Sequence, residues 1–233
     1  CAYAFLSLLV RYRVDSLHGL FLCGAIYGWL IEGVIVEEMY VSFPFQLAWT
    51  PLAWHALIVA PLIFWLWRMS AAWSVTGQIA LLVAMGAGFG LWAMWWPEER
   101  QPMPGPTASV LYLLGLAVFP VIAQWLIDRR GQSLLTISKT EFRVVFAIFA
   151  GLWLLRFAVA PRWEMLTCPL LIGIALWALG RQPPGPPLLP RWVEPAAQPL
   201  RHALFLLVPL VASCVAWTAW TFGFAPPTNI LVA

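Results

Sequence analysis

Long apolar runs alternate with short polar segments along the whole chain. Runs long enough to cross a bilayer occupy approximately 17–36, 47–67, 71–96, 107–127, 142–160, 163–180 and 201–222. A helix that spans the hydrocarbon core needs about 20 predominantly apolar residues. The run 1–10 is apolar but shorter, and we interpret it as part of a first helix whose start is missing. The pattern predicts an all-α polytopic integral membrane bundle of about eight transmembrane helices, forming one transmembrane domain over 1–233.

The composition supports a membrane location. The chain is 62% hydrophobic and 10% charged, whereas a soluble globular domain is about 45–50% apolar and about 25% charged. Lipid is therefore the expected partner. Nucleic acid is not expected, because the chain has a single lysine, Lys139, and no basic run with interleaved aromatic residues. The four cysteines form no C-x-x-C pair, so no thiolate metal site is predicted.

The distribution of basic residues predicts an orientation. When the partial run is taken as the first, inward-going helix, most of the 13 lysine and arginine residues fall at inner ends, with Arg100, Arg156 and Arg162 at outer ends. The inner group comprises Arg11, Arg13, Arg68, Arg129, Arg130, Lys139, Arg143, Arg181, Arg191 and Arg201. Cytoplasmic loops retain such residues. We therefore expect a bacterial-type cytoplasmic (inner) membrane, with both termini extracytoplasmic.

Local motifs predict helix starts and close helix packing. Ser138 and Glu141 have the spacing of a capping box before an apolar run. The pairs Gly24/Gly28 and Gly86/Gly90 place small residues on one helix face, which lets a neighbouring helix approach closely. The chain is rich in tryptophan, with 16 residues. Because indoles prefer the headgroup level, we expect most of them to act as interfacial anchors.

One costly charge stands out within these apolar runs. Glu32 lies about five residues from the outer end of its run, roughly 8 Å deep at about 1.5 Å per residue. His55 enters the next run by a similar depth, roughly 11 Å, and Arg156 lies roughly 6 Å from an outer end. Because an ionisable group at membrane depth usually faces a partner or a water-filled cavity, we predict a site with Glu32, His55 and Arg156 as catalytic candidates.

Further polar and aromatic residues are expected at the mouth of this site. We predict substrate contacts from Glu37, Glu38, Tyr40, Trp49 and Thr50. One glutamate and one histidine are too few ligands for zinc, which takes three or four, so Glu37 or Glu38 would have to join them. No metal is assigned, and the sequence leaves any cofactor undetermined.

The sequence leaves several functions open. The leading interpretation is a membrane-embedded enzyme that acts on a lipid or isoprenoid substrate from the outer leaflet, with Glu32 and His55 as acid and base. The alternatives are a proton- or ion-coupled small-solute transporter, and a non-catalytic subunit that binds other membrane subunits. A purely structural ion pair that locks two helices together is also compatible with the pattern.

Overall fold

A computed structural model describes residues 2–94, 105–130, 137–182, 187–188 and 199–224. Arg100 and Arg191, which entered the orientation argument, lie outside these ranges. Eight main helices are α1 (Ala2–Arg11), α2 (Leu17–Leu30), α3 (Trp49–Leu66), α4 (Val75–Trp92), α5 (Pro106–Arg130), α6 (Lys139–Val159), α7 (Thr167–Gly180) and α8 (Leu207–Thr221). Shorter helical segments are Ile31–Ile35, Glu38–Tyr40, Phe45–Leu47, Trp67–Ser70, Trp163–Leu166 and Pro199–Leu206.

The predicted all-α membrane architecture is confirmed. Within the described residues, seven helical stretches are long and apolar enough to cross a bilayer: Leu17–Ile35, Phe45–Ser70, Val75–Trp92, Pro106–Arg130, Lys139–Val159, Trp163–Gly180 and Leu200–Thr221. No strand occurs in the described ranges. The α1 helix has only 10 residues, as its short apolar run suggested. The chain is a multi-pass membrane protein.

Serine side chains start three of these helices. Ser16 and Ser74 accept hydrogen bonds from the backbone N–H groups of Gly19 and Gly77. Ser138 and Glu141 form the predicted capping box: Glu141 N–H donates to Ser138 Oγ at 3.1 Å, and Ser138 N–H donates to Glu141 Oε2 at 2.7 Å. Each cap satisfies backbone donors that have no partner within the first helical turn.

The described helices group into two compact units. The first contains Cys1–Leu66 and Gly131–Val193, and in it α2 is the central element, packed against α1, α3 and α7. The second contains Trp67–Arg130 and Glu194–Ala233, and in it α8 packs against α4 and α5.

Glycines set the closest helix contacts in both units. A Cβ atom on Gly28 of α2 would lie 2.6 Å from the carbonyl oxygen of Pro51 on α3. In the second unit, a Cβ on Gly90 of α4 would lie 2.7 Å from the carbonyl oxygen of Ala212 on α8. Gly24 and Gly86 are equally crowded. The predicted small-residue faces therefore bring the helix backbones into contact.

Candidate functional site

Glu32 and His55 form a buried pair in the first unit. Glu32 Oε1 lies 2.8 Å from His55 Nε2, and each residue is only 8% exposed. The Tyr27 ring packs against the imidazole of His55 in a T-shaped arrangement, with a centroid distance of 5.3 Å. The sequence-based expectation that these two side chains meet agrees with this geometry.

Close packing of α2 on α3 brings the pair together. A Cβ atom on Gly28 would also lie 2.9 Å from the Cβ of His55, and one on Gly24 would lie 3.3 Å from the His55 carbonyl oxygen. Any larger residue at these two positions would push α3 outward. The two glycines therefore bring the imidazole within hydrogen-bonding reach of the carboxylate.

Both members of the pair lie in π-helical backbone. The segment Ile31–Ile35 is wound as a π-helix, and Val36 N–H donates to the Ile31 carbonyl five residues earlier at 2.9 Å. His55 belongs to α3, which is also π-helical over Trp49–Leu66. Single-turn π-helical insertions such as Ile31–Ile35 are rare, and they are frequent at functional sites.

The second imidazole nitrogen of His55 is not used by the hydrogen bond to Glu32. Nδ1 is buried and has no hydrogen-bond partner among the described residues. When Nε2–H donates to a Glu32 carboxylate, Nδ1 carries a lone pair that can accept a proton or a hydrogen bond. The pair thus combines an imidazole whose position is fixed by its hydrogen bond to Glu32 with a second ring nitrogen that can accept a proton.

Arg156 contacts Glu37 rather than Glu32. Its Nη1 lies 2.6 Å from Glu37 Oε1, and its Nη2 donates to the Ile35 carbonyl oxygen at 2.9 Å. Both side chains are about one-third exposed, at 38% and 33%. Arg156 therefore binds the C-terminal end of the π-helical segment that carries Glu32. Its ion-pair partner, Glu37, is one of the residues predicted at the mouth of the site.

Tyr40 supports the same segment from the other side. Its phenol O–H donates to the Gly33 carbonyl oxygen at 2.9 Å, and the residue is 6% exposed. Burial raises the pKa of Tyr40, so the phenol stays protonated and keeps this hydrogen bond. The Tyr40 hydroxyl therefore donates to the backbone of the segment that carries Glu32, and the expected substrate contact of Tyr40 stays a prediction.

The remaining predicted mouth residues lie around the loop that joins α2 to α3. Thr50 Oγ1 lies 3.5 Å from Gln46 Oε1, and Trp49 stacks on Phe45 at a centroid distance of 5.7 Å. Glu38 begins the short helix Glu38–Tyr40 and is half-buried. Trp49 and Thr50 precede His55 on α3 by about one to two turns. These side chains frame the loop rather than the Glu32–His55 contact itself.

An apolar groove lies beside the carboxylate-bearing segment. It has a volume of about 390 Å³ and is bounded by α6, α7 and the end of α2. Leu30 and Val34, the residues two positions before and after Glu32, line it together with Phe149 and Trp153. The groove has the apolar character and size of a small-molecule site.

A second buried polar cluster lies in the second unit, and the sequence analysis missed it. Arg68 Nη2 lies 2.6 Å from Asp128 Oδ1, and His202 Nε2 lies 2.8 Å from Asp128 Oδ2. Arg68 Nη1 also donates to Gln124 Oε1 at 3.1 Å. Arg68 and His202 are only 4% and 1% exposed. We call Arg68, Gln124, Asp128 and His202 the buried charge cluster.

A sequence signal for this cluster existed. Gln124 and Asp128 are four residues apart, so they share a face of α5. Arg68 was assigned to an inner helix end, and Asp128 lies near the end of α5, while His202 belongs to the segment Pro199–Leu206 that precedes α8. The structure turns the three side chains towards each other. Charged residues at helix ends of similar depth can form ion pairs. Sequence spacing does not reveal which helix ends are neighbours, so the pairs cannot be predicted from it.

Comparison with family models, characterised proteins and solved structures finds no match for this chain.

Proposed function

We propose that this membrane protein is an intramembrane enzyme in which the Glu32–His55 pair transfers a proton to or from a lipid or isoprenoid substrate. The observation that carries the proposal is the 2.8 Å contact between Glu32 Oε1 and His55 Nε2, which leaves the buried His55 Nδ1 without a hydrogen-bond partner among the described residues. A buried polar atom without a partner is costly in a fold, and a reacting group would make use of it.

The geometry supports a defined division of roles. His55 Nδ1 accepts a proton from a C–H or O–H group of the substrate, and the bonding electron pair stays on the substrate. The imidazolium that forms keeps its Nε2–H directed at Glu32, whose negative charge stabilises it. Arg156 acts as a positioning residue, because it holds the Ile35 carbonyl at the end of the segment that carries Glu32.

A lipid-like substrate suits the apolar groove on the α6 and α7 side of the segment that carries Glu32, although neither Glu32 nor His55 is among the described residues that line it. The neighbouring groove is lined by apolar side chains, including Leu30 and Val34 from the segment around Glu32. An acyl or prenyl chain in that groove would need no polar partner, and its polar end could lie near Arg156 and Glu37, which are partly exposed.

The experiment uses lipid turnover as its readout. The purified protein in nanodiscs is incubated with a total lipid extract of the host membrane in D₂O, and the lipids are analysed by mass spectrometry. We expect a product or a deuterium-labelled lipid with the wild type, and at least a hundredfold loss in Glu32→Gln and His55→Asn, as for removal of a general acid or base. Glu164→Gln is the matched control, since it makes the same change in the short helix Trp163–Leu166, outside both the pair and the predicted mouth.

Other outcomes would overturn the enzyme proposal. If the wild type changes no lipid but the two variants abolish proton flux into proteoliposomes, the pair belongs to a carrier. If neither lipid turnover nor proton flux responds and both variants only lower the unfolding midpoint, the pair serves only to stabilise the packing of α2 on α3. Co-purification of stoichiometric membrane subunits, with no turnover in their absence, would favour the complex-subunit alternative.

We also infer that the pair faces the outer leaflet and that both termini are extracytoplasmic, from the excess of Lys and Arg at the other helix ends. Protease treatment of terminally tagged protein in spheroplasts tests this orientation. Cleavage of both tags from outside is expected. Protection of both tags would place Glu32 in the cytoplasmic leaflet.

A further inference from the structure

A cavity of about 540 Å³ lies within the second unit, between the end of α4, the first turns of α5 and the C-terminal half of α8. Its size is typical of small-molecule sites. The described residues that line it carry no charge, and most of them are small or aromatic, including Ala93, Ala108, Tyr112, Ala216, Trp217 and Trp220. Among the described lining residues none offers a counter-ion to a charged ligand, whereas their apolar side chains suit an apolar ligand.

Aromatic walls fixed by specific contacts shape the cavity. Trp220 Nε1–H donates to the Met94 carbonyl oxygen at 2.8 Å. The Trp217 and Trp220 rings meet edge-to-face, with centroids 5.0 Å apart. Gly90 lets α4 and α8 touch at the Ala212 carbonyl. The cavity is thus built by a rigid helix contact and an anchored indole, and small alanine side chains leave the space between them.

Three hydroxyl groups, those of Ser109, Tyr112 and Ser213, belong to described residues that line this otherwise apolar cavity. Ser213 is 6% exposed, and its Oγ has no hydrogen-bond partner among the described residues. A helical serine or threonine hydroxyl often bonds the carbonyl one turn back, as Ser7 does with Tyr3 O at 2.6 Å and Thr221 with Trp217 O at 2.7 Å. Ser213 makes no such bond. Its hydroxyl is therefore available to a hydrogen-bond acceptor in the cavity.

We propose that this cavity binds an apolar membrane molecule through van der Waals contacts with the alanine and tryptophan side chains, and that Ser213 Oγ–H donates to a carbonyl oxygen of that molecule. The carbonyl can come from the acyl ester of a glycerolipid or from the ring of a prenylated quinone. The site goes beyond the proposed function, because it uses none of the Glu32–His55 residues and belongs to the other compact unit.

The test is photo-crosslinking of the full chain in nanodiscs with a phosphatidylcholine that carries a diazirine near its ester carbonyl. Labelled peptides are identified by mass spectrometry. We expect label on α8, reduced about three- to tenfold by Ser213→Ala, the range expected from one lost hydrogen bond. Ala108→Trp, which adds an indole at an exposed lining position, should abolish it. Ser7→Ala removes a buried serine from the other unit and should leave the label unchanged.

Two further arms identify the source of the carbonyl. An otherwise matched diether lipid with the same diazirine lacks the ester carbonyl, so its labelling should not respond to Ser213→Ala if the ester is the acceptor. A short-chain prenylated quinone that displaces the diester probe at micromolar concentration identifies the quinone as the preferred ligand. Label on α8 that is unaffected by Ala108→Trp, or an absence of label on α8, would overturn the cavity site. If Ala108→Trp abolishes the label on α8 but Ser213→Ala does not reduce it, the proposed role of the Ser213 hydroxyl is wrong.

Discussion

Substitution of Arg68 by methionine tests how the buried charge cluster stabilises the second unit. Arg68 Nη2 lies 2.6 Å from Asp128 Oδ1, and the Arg68 side chain is only 2% exposed. Methionine keeps much of the side-chain length but removes the charge. The Asp128 carboxylate, 8% exposed, would then retain His202 as a partner but lose the guanidinium.

The expected loss of unfolding free energy follows from a general property of buried ion pairs: removing one partner is far more costly than replacing both. Breaking such a pair by removing one partner costs about 3–5 kcal/mol, because an uncompensated charge remains buried. Gln124→Leu leaves the ion pair intact and removes one hydrogen bond to the guanidinium, so we expect a smaller cost of about 1.5–3 kcal/mol, the range for a bond to a charged group.

The complementary variant removes all the charges together. Arg68→Met, Asp128→Leu and His202→Phe combined leave no isolated charge, and replacement of buried ionic groups by packed apolar residues is often neutral or stabilising. We therefore expect the triple variant to be at least about 2 kcal/mol more stable than Arg68→Met alone.

The assay is equilibrium unfolding in mixed detergent micelles, followed by circular dichroism. Arg129→Met is the matched control: Arg129 is exposed, with its guanidinium carbon 3.6 Å from the centroid of the Trp125 ring. Loss of an exposed cation–π contact costs about 0.5–1 kcal/mol. If Arg68→Met costs no more than Arg129→Met, or if the triple variant is the least stable of all, the reasoning is refuted.

Two further predictions concern the surroundings of Glu32. Gly28→Ala places a Cβ 2.6 Å from the Pro51 carbonyl oxygen and should lower the unfolding free energy by about 1–3 kcal/mol. Gly151→Ala, with open space around it, is the control and should be neutral or slightly stabilising. Equal changes in unfolding free energy for the two variants would contradict the packing argument. Tyr40→Phe removes the bond to Gly33 and should cost about 1 kcal/mol. Because burial raises the pKa of Tyr40 in the fold, the neutral phenol stabilises the fold below about pH 10, tyrosine's ordinary pKa. Wild-type stability should fall as pH rises above that value, and a fall of the same size in Tyr40→Phe unfolding curves would exclude this role.

The membrane helices and their caps could be predicted because they depend on local sequence. A spanning helix needs an uninterrupted apolar run, and such a run is visible without knowledge of its neighbours. The capping box of Ser138 and Glu141 involves residues three positions apart, so spacing alone predicts its two hydrogen bonds. The glycine pair Gly24/Gly28 also predicted a close helix contact, since small residues permit close approach whichever helix is the partner.

The Glu32–His55 contact was predictable for a topological reason. The two residues lie at similar depths on consecutive helices joined by a short connection, so antiparallel packing brings them to one level. The partner of Arg156 was not predictable in this way, because it comes from a helix distant in sequence. Its estimated depth was close to that of Glu32, whereas in the structure Glu37 and the Ile35 carbonyl receive the guanidinium.

The sequence by itself determined that the chain crosses a membrane many times and that Glu32 and His55 are at a similar depth. Only the tertiary structure decided that Arg68, Asp128 and His202 pair with one another, and that Ser213 lines an apolar cavity. The physical reason is the same in both cases. Hydropathy and helical rise fix how deep a residue lies, whereas the rotation of each helix and the choice of its neighbours depend on packing between residues far apart in the chain.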